Sequence, residues 1–374
     1  MSVDLVETDL DDLLDVTSSL SISDSPTSNM RILQHFSSFT SLTLGGTKCR
    51  SVMHSFVSQK AWEYSYLMHI VLAVSSAHLK RLHSDESQLR LHQQFAIAEA
   101  AHWQCGLQLY QRALAGRRPD FDATIATTFL TIIFTFSLDD DLPQDAYTDE
   151  DNEKLKHALN PLAATGGFRA IRDLFGEFMN NSVWKIVLQG SDDDQGTFSN
   201  ANQKGVEGLP IAFVDLCELD DDSTADNNEY YYILRLLTPL LRLESDFENF
   251  TKLMSFCGRT WPYLRPLLFR KDPRGLLLIS YWFAALRQID QWWITVRARS
   301  ECIAIVNYLS QLQDAKIAAL LPYPASFGQA DLSYIWDPPS FVSDSSTIFE
   351  RYFQKAITIK PLRPVETSPL LTSS

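Results

Sequence analysis

Positive charge is what this sequence has least of. Among 374 residues, 46 Asp and Glu stand against 32 Lys and Arg, a net charge of −14, and no basic run is longer than Arg117-Arg118. Contacts to phosphate dominate nucleic-acid affinity, so no nucleic-acid partner is expected. Cysteine is scarce too: Cys49, Cys105, Cys217, Cys257 and Cys302 lie far apart, are odd in number and form no CxxC or Cys/His ligand spacing. That excludes a disulfide framework and a structural zinc site, and it predicts buried thiols in a reducing compartment. No apolar run reaches the length of a bilayer span. The opening MSVDLVETDLDDLLDV lacks the basic and apolar regions of a secretory signal, so a cytoplasmic, soluble chain is expected. GxGxxG, GxxxxGK[ST] and GxSxG are all missing, which removes dinucleotide binding, P-loop chemistry and the hydrolase nucleophile elbow. Gly166-Gly167 has no strand before it, so it does not read as a phosphate loop.

What is present is helical periodicity. Residues 1–29, ending in SSLSISDSPTSN, are too polar to bury a core and read as a flexible acidic tail; DLDDLLDV within it could form a short helix that docks as a lid. From Met30 the pattern turns apolar, with Asn29 as the expected N-cap of MRILQHFSSFTSLTL. EYSYLMHIVLAVSSAHLKRLH, SQLRLHQQFAIAEAAHWQCGLQLYQRALAG, stopped by Gly116, and FDATIATTFLTIIFTFSL after Asp120 follow as long helices. NEYYYILRLLTPLLRLESDF, broken at Pro239, and GLLLISYWFAALRQIDQWWITVRARSECIAIVNYL complete the set. No segment alternates with period two between hairpin turns. The expectation is an all-α protein, one helical domain over residues 30–374 around an apolar cavity. His69 and His78, nine apart on one apolar helix, fall on opposite sides and read as core or boundary residues.

RILQHFSSFTSLTL, YLMHIVLAVSSAHLKRL and RGLLLISYWFAALRQIDQWWITVRARSECIAIVNYL occur in the order found in fungal zinc-cluster regulators of the sterol-uptake-control type. The chain resembles the effector region of that family from about Met30 to Trp336. The resemblance implies an all-helical, ligand-sensing domain. No cysteine precedes Met30, so the six-cysteine DNA-binding cluster of those regulators has no counterpart here. The chain is also similar in overall pattern to the fungal humulene synthases of tropolone-sesquiterpenoid pathways, which look like the same scaffold without a DNA-binding domain. That second resemblance implies a class I sesquiterpene cyclase acting on farnesyl diphosphate with Mg²⁺.

Three Asp-Asp-Asp runs bear on this implication. FSLDDDLPQD ends an apolar helix in Asp139, Asp140, Asp141 and Asp145; hard cations want oxygen ligands, and class I cyclases hold Mg²⁺ with an aspartate-rich motif at the cavity mouth. The spacing is not DDxxD, and a solvated acidic loop is the alternative. CELDDDSTADNNEY offers Asp220, Asp221, Asp226 and Glu229 as a second metal group; Asp226 and Glu229 lie one turn apart if a helix begins near Ser223, where they would equally favour the helix dipole. The run in SDDDQG reads as a solvated turn. A carbocation needs a dry cavity with aromatic faces, for which Trp282, Phe283, Leu286, Trp292 and Trp293 are the candidates; Tyr281 belongs to the same aromatic group, and residues 282 and 293 share a face if one helix carries both. Plain core packing is the alternative. Arg112, Arg235 and the Arg351-Tyr352 pair are the candidates for holding the diphosphate. The second function weighed is a regulator that senses a hydrophobic ligand and acts through protein partners. Homodimerisation is left open.

Overall fold

The computed structural model describes residues 27–116, 120–138, 146–148, 152–174, 176–188, 196–243, 249–286 and 291–328. Contacts divide the chain into Met1–Ala330 and Asp331–Ser374, and every described residue belongs to the first unit. The tail through residue 26 and its lid segment lie outside the described residues, as does the end of the expected domain beyond residue 328.

The fold is all-α, with no strand among the described residues. We number the longer helices α1 (Thr27–Ser38), α2 (Ser65–Leu82), α3 (Leu89–Ala115), α4 (Phe121–Ser137), α5 (Asn152–Leu174), α6 (Tyr231–Leu240), α7 (Phe250–Phe269), α8 (Pro273–Ala285) and α9 (Thr295–Ser310). None of them is long and apolar enough to cross a membrane.

The first correction concerns α1. It begins at Thr27, before the expected cap, because Asn29 does a tertiary job instead: its Oδ1 accepts from His102 Nε2 of α3 at 3.2 Å. The start of α4 follows the sequence signal, since Asp120 Oδ1 accepts from the backbone N–H of Ala123 at 2.8 Å. At α8, Asp272 caps the Gly275 N–H at 2.8 Å and Pro273 fills the first position, where its missing donor costs nothing. α6 runs one residue past Pro239 before it ends.

α2 and α3 form the most extensive helix pair, followed by α5 with α7 and α8 with α9; α4 packs on both α2 and α5 and joins the two halves of the core. Two glycines allow close approach between these helix pairs. A Cβ on Gly106 of α3 would stand 2.8 Å from Ile70 Cδ1 of α2, and one on Gly166 of α5 would stand 2.2 Å from the Trp261 ring of α7. Gly166 therefore serves helix packing inside α5, whereas a Cβ on Gly167 would meet nothing within 4 Å. The core is continuous and rich in aromatics, with Trp184, Trp282, Trp293, Tyr147, Phe134 and Phe136 among the fully buried side chains.

The second correction concerns the segment read as one helix from Gly275 to Leu309. α8 stops at Ala285, Gln291–Ile294 form a turn, and α9 starts at Thr295. Gln291 holds this turn, its carbonyl accepting the Thr295 hydroxyl at 2.9 Å. Trp282 and Trp293 thus sit on different elements and share no helix face.

Candidate functional site

An apolar cavity of about 70 Å³ lies between α4, α5, α7 and the short helix Lys185–Leu188. Phe129 and Ile133 come from α4, Phe168 from α5, Phe250 and Met254 from α7, and Trp293 also lines the space. Three more features give the wall its character. Phe129 packs on Trp184 and Phe168, with ring centroids 5.9 and 6.1 Å away. Trp293 meets Phe250 edge-on at 5.6 Å. Arg169 and Arg172, both on α5, also line the space. Their side chains converge on one carboxylate: Arg169 Nε lies 3.4 Å from Asp173 Oδ2, and Arg172 Nη2 donates to Asp173 Oδ1 at 3.0 Å. The volume is well short of the ~300–1,000 Å³ of preformed ligand pockets.

Of the aromatic residues read from the sequence, Trp293 alone lines this cavity. Trp282 is fully buried on α8, donates its indole N–H to the Leu253 carbonyl at 2.8 Å and stacks near Phe256. Phe283 and Leu286 are buried beside it. Trp292 stacks on His78 with centroids 4.6 Å apart and donates to Thr43 Oγ1 at 2.9 Å. These four sides of the expected wall are core packing elsewhere in the bundle.

The second acidic run forms a loop, and the helix expected near Ser223 begins instead at Tyr231. Asp226 and Glu229 are therefore not one helical turn apart. The reason is local hydrogen bonding that competes with helix: Asp220 Oδ1 accepts the Asp222 N–H at 3.0 Å and the Ser223 hydroxyl at 2.9 Å. Asp222 pairs with Lys204 at 2.6 Å and Glu229 pairs with Arg270; each cation holds its partner carboxyl below the ordinary range. Asp221 and Asp226 are exposed. Among the described residues no group of three or more His, Cys, Asp or Glu is placed to hold a metal ion. Asp139, Asp140, Asp141 and Asp145 lie outside the described residues, as do the Asp192–Asp194 run, Arg351 and Tyr352.

The two remaining arginine candidates are not among the residues that line the cavity. Arg112 is exposed in the last turn of α3. Arg235 is buried, and its guanidinium donates to Tyr231 Oη at 2.9 Å, to the Glu207 carbonyl at 2.6 Å and to the Gly205 carbonyl. It holds a loop in place. Replacing it, Arg235→Ala, is expected to cost at least about 2 kcal/mol, since charged hydrogen bonds to buried carbonyls are lost. A urea unfolding curve checks this, and ligand binding should survive in the folded fraction.

Three buried polar clusters lie outside the cavity. His78 Nδ1 faces Thr40 Oγ1 at 3.0 Å and His35 Nε2 at 3.3 Å. His69 Nδ1 faces His102 Nδ1 at 3.0 Å, with Cys105 Sγ 3.4 Å from His69 Nε2. Burial lowers the pKa of His78 to about 3 and those of His35 and His102 to about 4, so all three are neutral imidazoles. Burial also pushes the Cys105 thiol up, which makes it a poor nucleophile. The third cluster is Arg297, Glu301 and Tyr147, all buried. As the sequence implied, His69 and His78 face opposite neighbours, α3 and α1, and Cys49, Cys217, Cys257 and Cys302 are buried free thiols; Cys105 is half-buried.

The residues missed by sequence reasoning are those on α5 and α7. Arg169 and Arg172 stand three apart, on one face of a helix. That spacing was the available signal. When the chain is compared with known proteins, no family model matches it, and no curated protein matches it.

Proposed function

We propose that this chain acts as a class I sesquiterpene cyclase on farnesyl diphosphate, the α4–α5–α7 cavity widening to take the hydrophobic chain. One observation carries the reading: an apolar cavity lined by Phe129, Phe168, Phe250 and Trp293, with Arg169 and Arg172 among its lining residues. In such a reaction the allylic C–O bond breaks, diphosphate leaves with the electron pair, a distal double bond closes on the cation, and a proton is lost to give an olefin such as α-humulene. The aromatic faces stabilise the cation, and the dry wall protects it from water. Mg²⁺, which neutralises a leaving diphosphate when bound, has its remaining candidate ligands in Asp139, Asp140, Asp141 and Asp145.

The test is incubation of the purified protein with farnesyl diphosphate, with and without Mg²⁺, and analysis of volatile products by gas chromatography–mass spectrometry. A metal-dependent sesquiterpene is the expected result. Trp293→Leu should then lower turnover roughly 30-fold, the loss of about 2 kcal/mol of cation–aromatic stabilisation in a desolvated site. Absence of product from farnesyl, geranyl and geranylgeranyl diphosphates would overturn the cyclase reading.

The second reading is a regulator-type domain that senses a hydrophobic ligand without turning it over. Its supporting observation is the engagement of Glu229 and Asp222 by Arg270 and Lys204, which pairs these carboxylates with protein cations. Binding of farnesol or an alkyl chain with no turnover of any prenyl diphosphate is what this reading expects.

A further inference from the structure

We propose that α1 is an acid-released latch: docked on α2 and α3 at neutral pH, it leaves them as a unit, ahead of the rest of the bundle, when the histidines at its seat take up protons. The device is independent of what the α4–α5–α7 cavity binds.

The histidines of the chain are concentrated at this seat. Eight occur in 374 residues, and six of them, His35, His54, His69, His78, His83 and His102, lie on α1 or around it. His35 belongs to α1 itself, and its Nε2 lies 3.3 Å from His78 Nδ1 of α2. Asn29 Oδ1 of α1 accepts from His102 Nε2 of α3 at 3.2 Å, and His102 Nδ1 in turn lies 3.0 Å from His69 Nδ1. Each facing pair of ring nitrogens can carry one proton between them, and a second sets two N–H groups against each other. Among the described residues the charged groups that act on these imidazoles are themselves basic: His83 on His35, His69 on His102 and Arg81 on His78. Lys80 pairs with Glu99 at 2.8 Å between α2 and α3, and Arg31 of α1 is exposed. His54 plays no part in release. It is exposed, and its Nδ1 donates to the Ser37 carbonyl at 2.9 Å, a bond that survives protonation. His78 is stacked on Trp292 from the body side, so the parting falls between His35 and His78.

α1 is otherwise lightly held. It packs chiefly on α2 and on the Thr40–Thr43 turn, with Ile32, Leu33 and Phe36 buried, whereas α7 buries ten of its residues. Ser75 Oγ donates to the Ile32 carbonyl at 2.7 Å, a tie to α2 that pH does not alter. Elements with few buried apolar contacts open before the core does. Burial and the neighbouring His83 hold His35 at about 4 in the docked helix, and it returns to the ordinary 6.5 when α1 carries it into water. Its value is lowered by docking, so docking is fully favoured above pH 6.5 and weakens as the pH falls towards 4. His35 alone makes release about 30-fold more favourable at pH 5 than at pH 7.5. His78 and His102, lowered in the same sense by burial, add to this as α1 uncovers them.

Hydrogen–deuterium exchange of the full chain at pH 7.5, 6 and 5, corrected for the intrinsic pH dependence of amide exchange and repeated in dilute urea, tests the latch. At each pH the amides of Thr27–Ser38 should be less protected than those of α7. Their protection should fall at least about 30-fold between pH 7.5 and 5. Urea should change it little, because a local opening exposes little surface, whereas α7 exchanges through global unfolding and should respond strongly. His35→Gln should reduce the pH-dependent loss in α1 by about tenfold or more. Asn29→Ala leaves every histidine in place; it should loosen α1 several-fold at pH 7.5 without loosening α7, and it serves where His35→Gln fails to fold. Exchange of α1 in step with α7, at the same urea dependence, would overturn the latch, since the helix would then leave only with the whole bundle. A local opening that ignores pH, or whose pH dependence survives His35→Gln intact, would overturn the part given to the histidines.

Discussion

The stability of this protein is expected to fall steeply as the pH drops from 6.5 towards 4, well before most carboxylates titrate. The cause is the set of buried imidazoles. His78 has a folded-state pKa of about 3, and His35 and His102 of about 4, against 6.5 for a free histidine. His69 is shifted in the same direction by burial. Because these values are lowered, the unfolded chain binds more protons than the folded one throughout that window. Stability is therefore fully present above pH 6.5 and lost as the pH falls towards the folded values, at about 1.4 kcal/mol per pH unit for each histidine. Proximity within each pair reinforces the effect, since protonating one imidazole opposes protonating the other. The hydrogen bonds say why a proton is unwelcome. His78 Nδ1 lies within reach of Thr40 Oγ1 and His35 Nε2, and a proton on it would end its acceptor role and set it against any proton on His35 Nε2. In the second pair one proton placement satisfies every partner: Cys105 S–H donates to His69 Nε2, His69 Nδ1–H to His102 Nδ1, and His102 Nε2–H to Asn29 Oδ1. The groups facing His35 and His78 besides each other, His83 and Arg81, are basic and deepen the shift. Urea unfolding at pH 7.5, 6, 5 and 4.5 measures the slope. His78→Gln should flatten it between pH 6 and 4.5 by at least about 1 kcal/mol. A slope unchanged by that substitution would assign the acid sensitivity elsewhere.

The helical class and most helix starts were legible because their signals are local. Asp120 announces α4 through the backbone donor it caps, whereas the reading of α8 began at Gly275 and passed over the Asp272-Pro273 start. α7 was not legible, since Gly258, Pro262 and Pro266 fall within its twenty residues and each argues locally against helix. Tertiary packing overrides them: α7 is buried against α5, α6 and α8, and it supplies Phe250 and Met254 to the cavity. The break between α8 and α9 was hidden for the opposite reason. An unbroken apolar pattern runs through it, and the turn depends on hydrogen bonds around Gln291 that no periodicity reveals. The candidate site suffered the same blindness. Acidic runs are conspicuous in sequence, but Asp220 and Asp222 find their partners within their own loop and at Lys204. Arg169 and Arg172 are inconspicuous in sequence, and only the approach of α4, α7 and Trp293 gives them an apolar setting.

Arg297→Ala is expected to destabilise the protein by about 3–5 kcal/mol, with the larger loss at higher pH. Arg297 and Glu301 pair at 3.1 Å with each side chain only 3% exposed. The remaining valences are also used. Tyr147 donates to Glu301 Oε2 at 2.8 Å, and Arg297 Nη2 donates to the carbonyls of His157 and Ala158 at 3.3 and 3.1 Å. The cluster thus ties α9 to α5 and to the 146–148 turn. Burial raises the Glu301 pKa even with Arg297 present, desolvation outweighing the attraction of the guanidinium. Removing the cation raises it further, so the folded variant takes up a proton that the unfolded chain does not hold. A carboxyl whose folded pKa is raised contributes most below its unfolded pKa and loses that contribution as the pH climbs through the folded value. The variant should therefore be nearer to wild type at pH 5.5 than at pH 8, a slope opposite to that of the histidines. Urea unfolding at those two pH values tests it, with Tyr147→Phe as a milder comparison at roughly 1–2 kcal/mol. Replacing both ionic partners, Arg297→Met with Glu301→Leu, should recover most of the loss, because no charge is then left in the core. Should the single and double variants be equally unstable at both pH values, the cost would lie in packing around α9, and the ion pair would carry none of it.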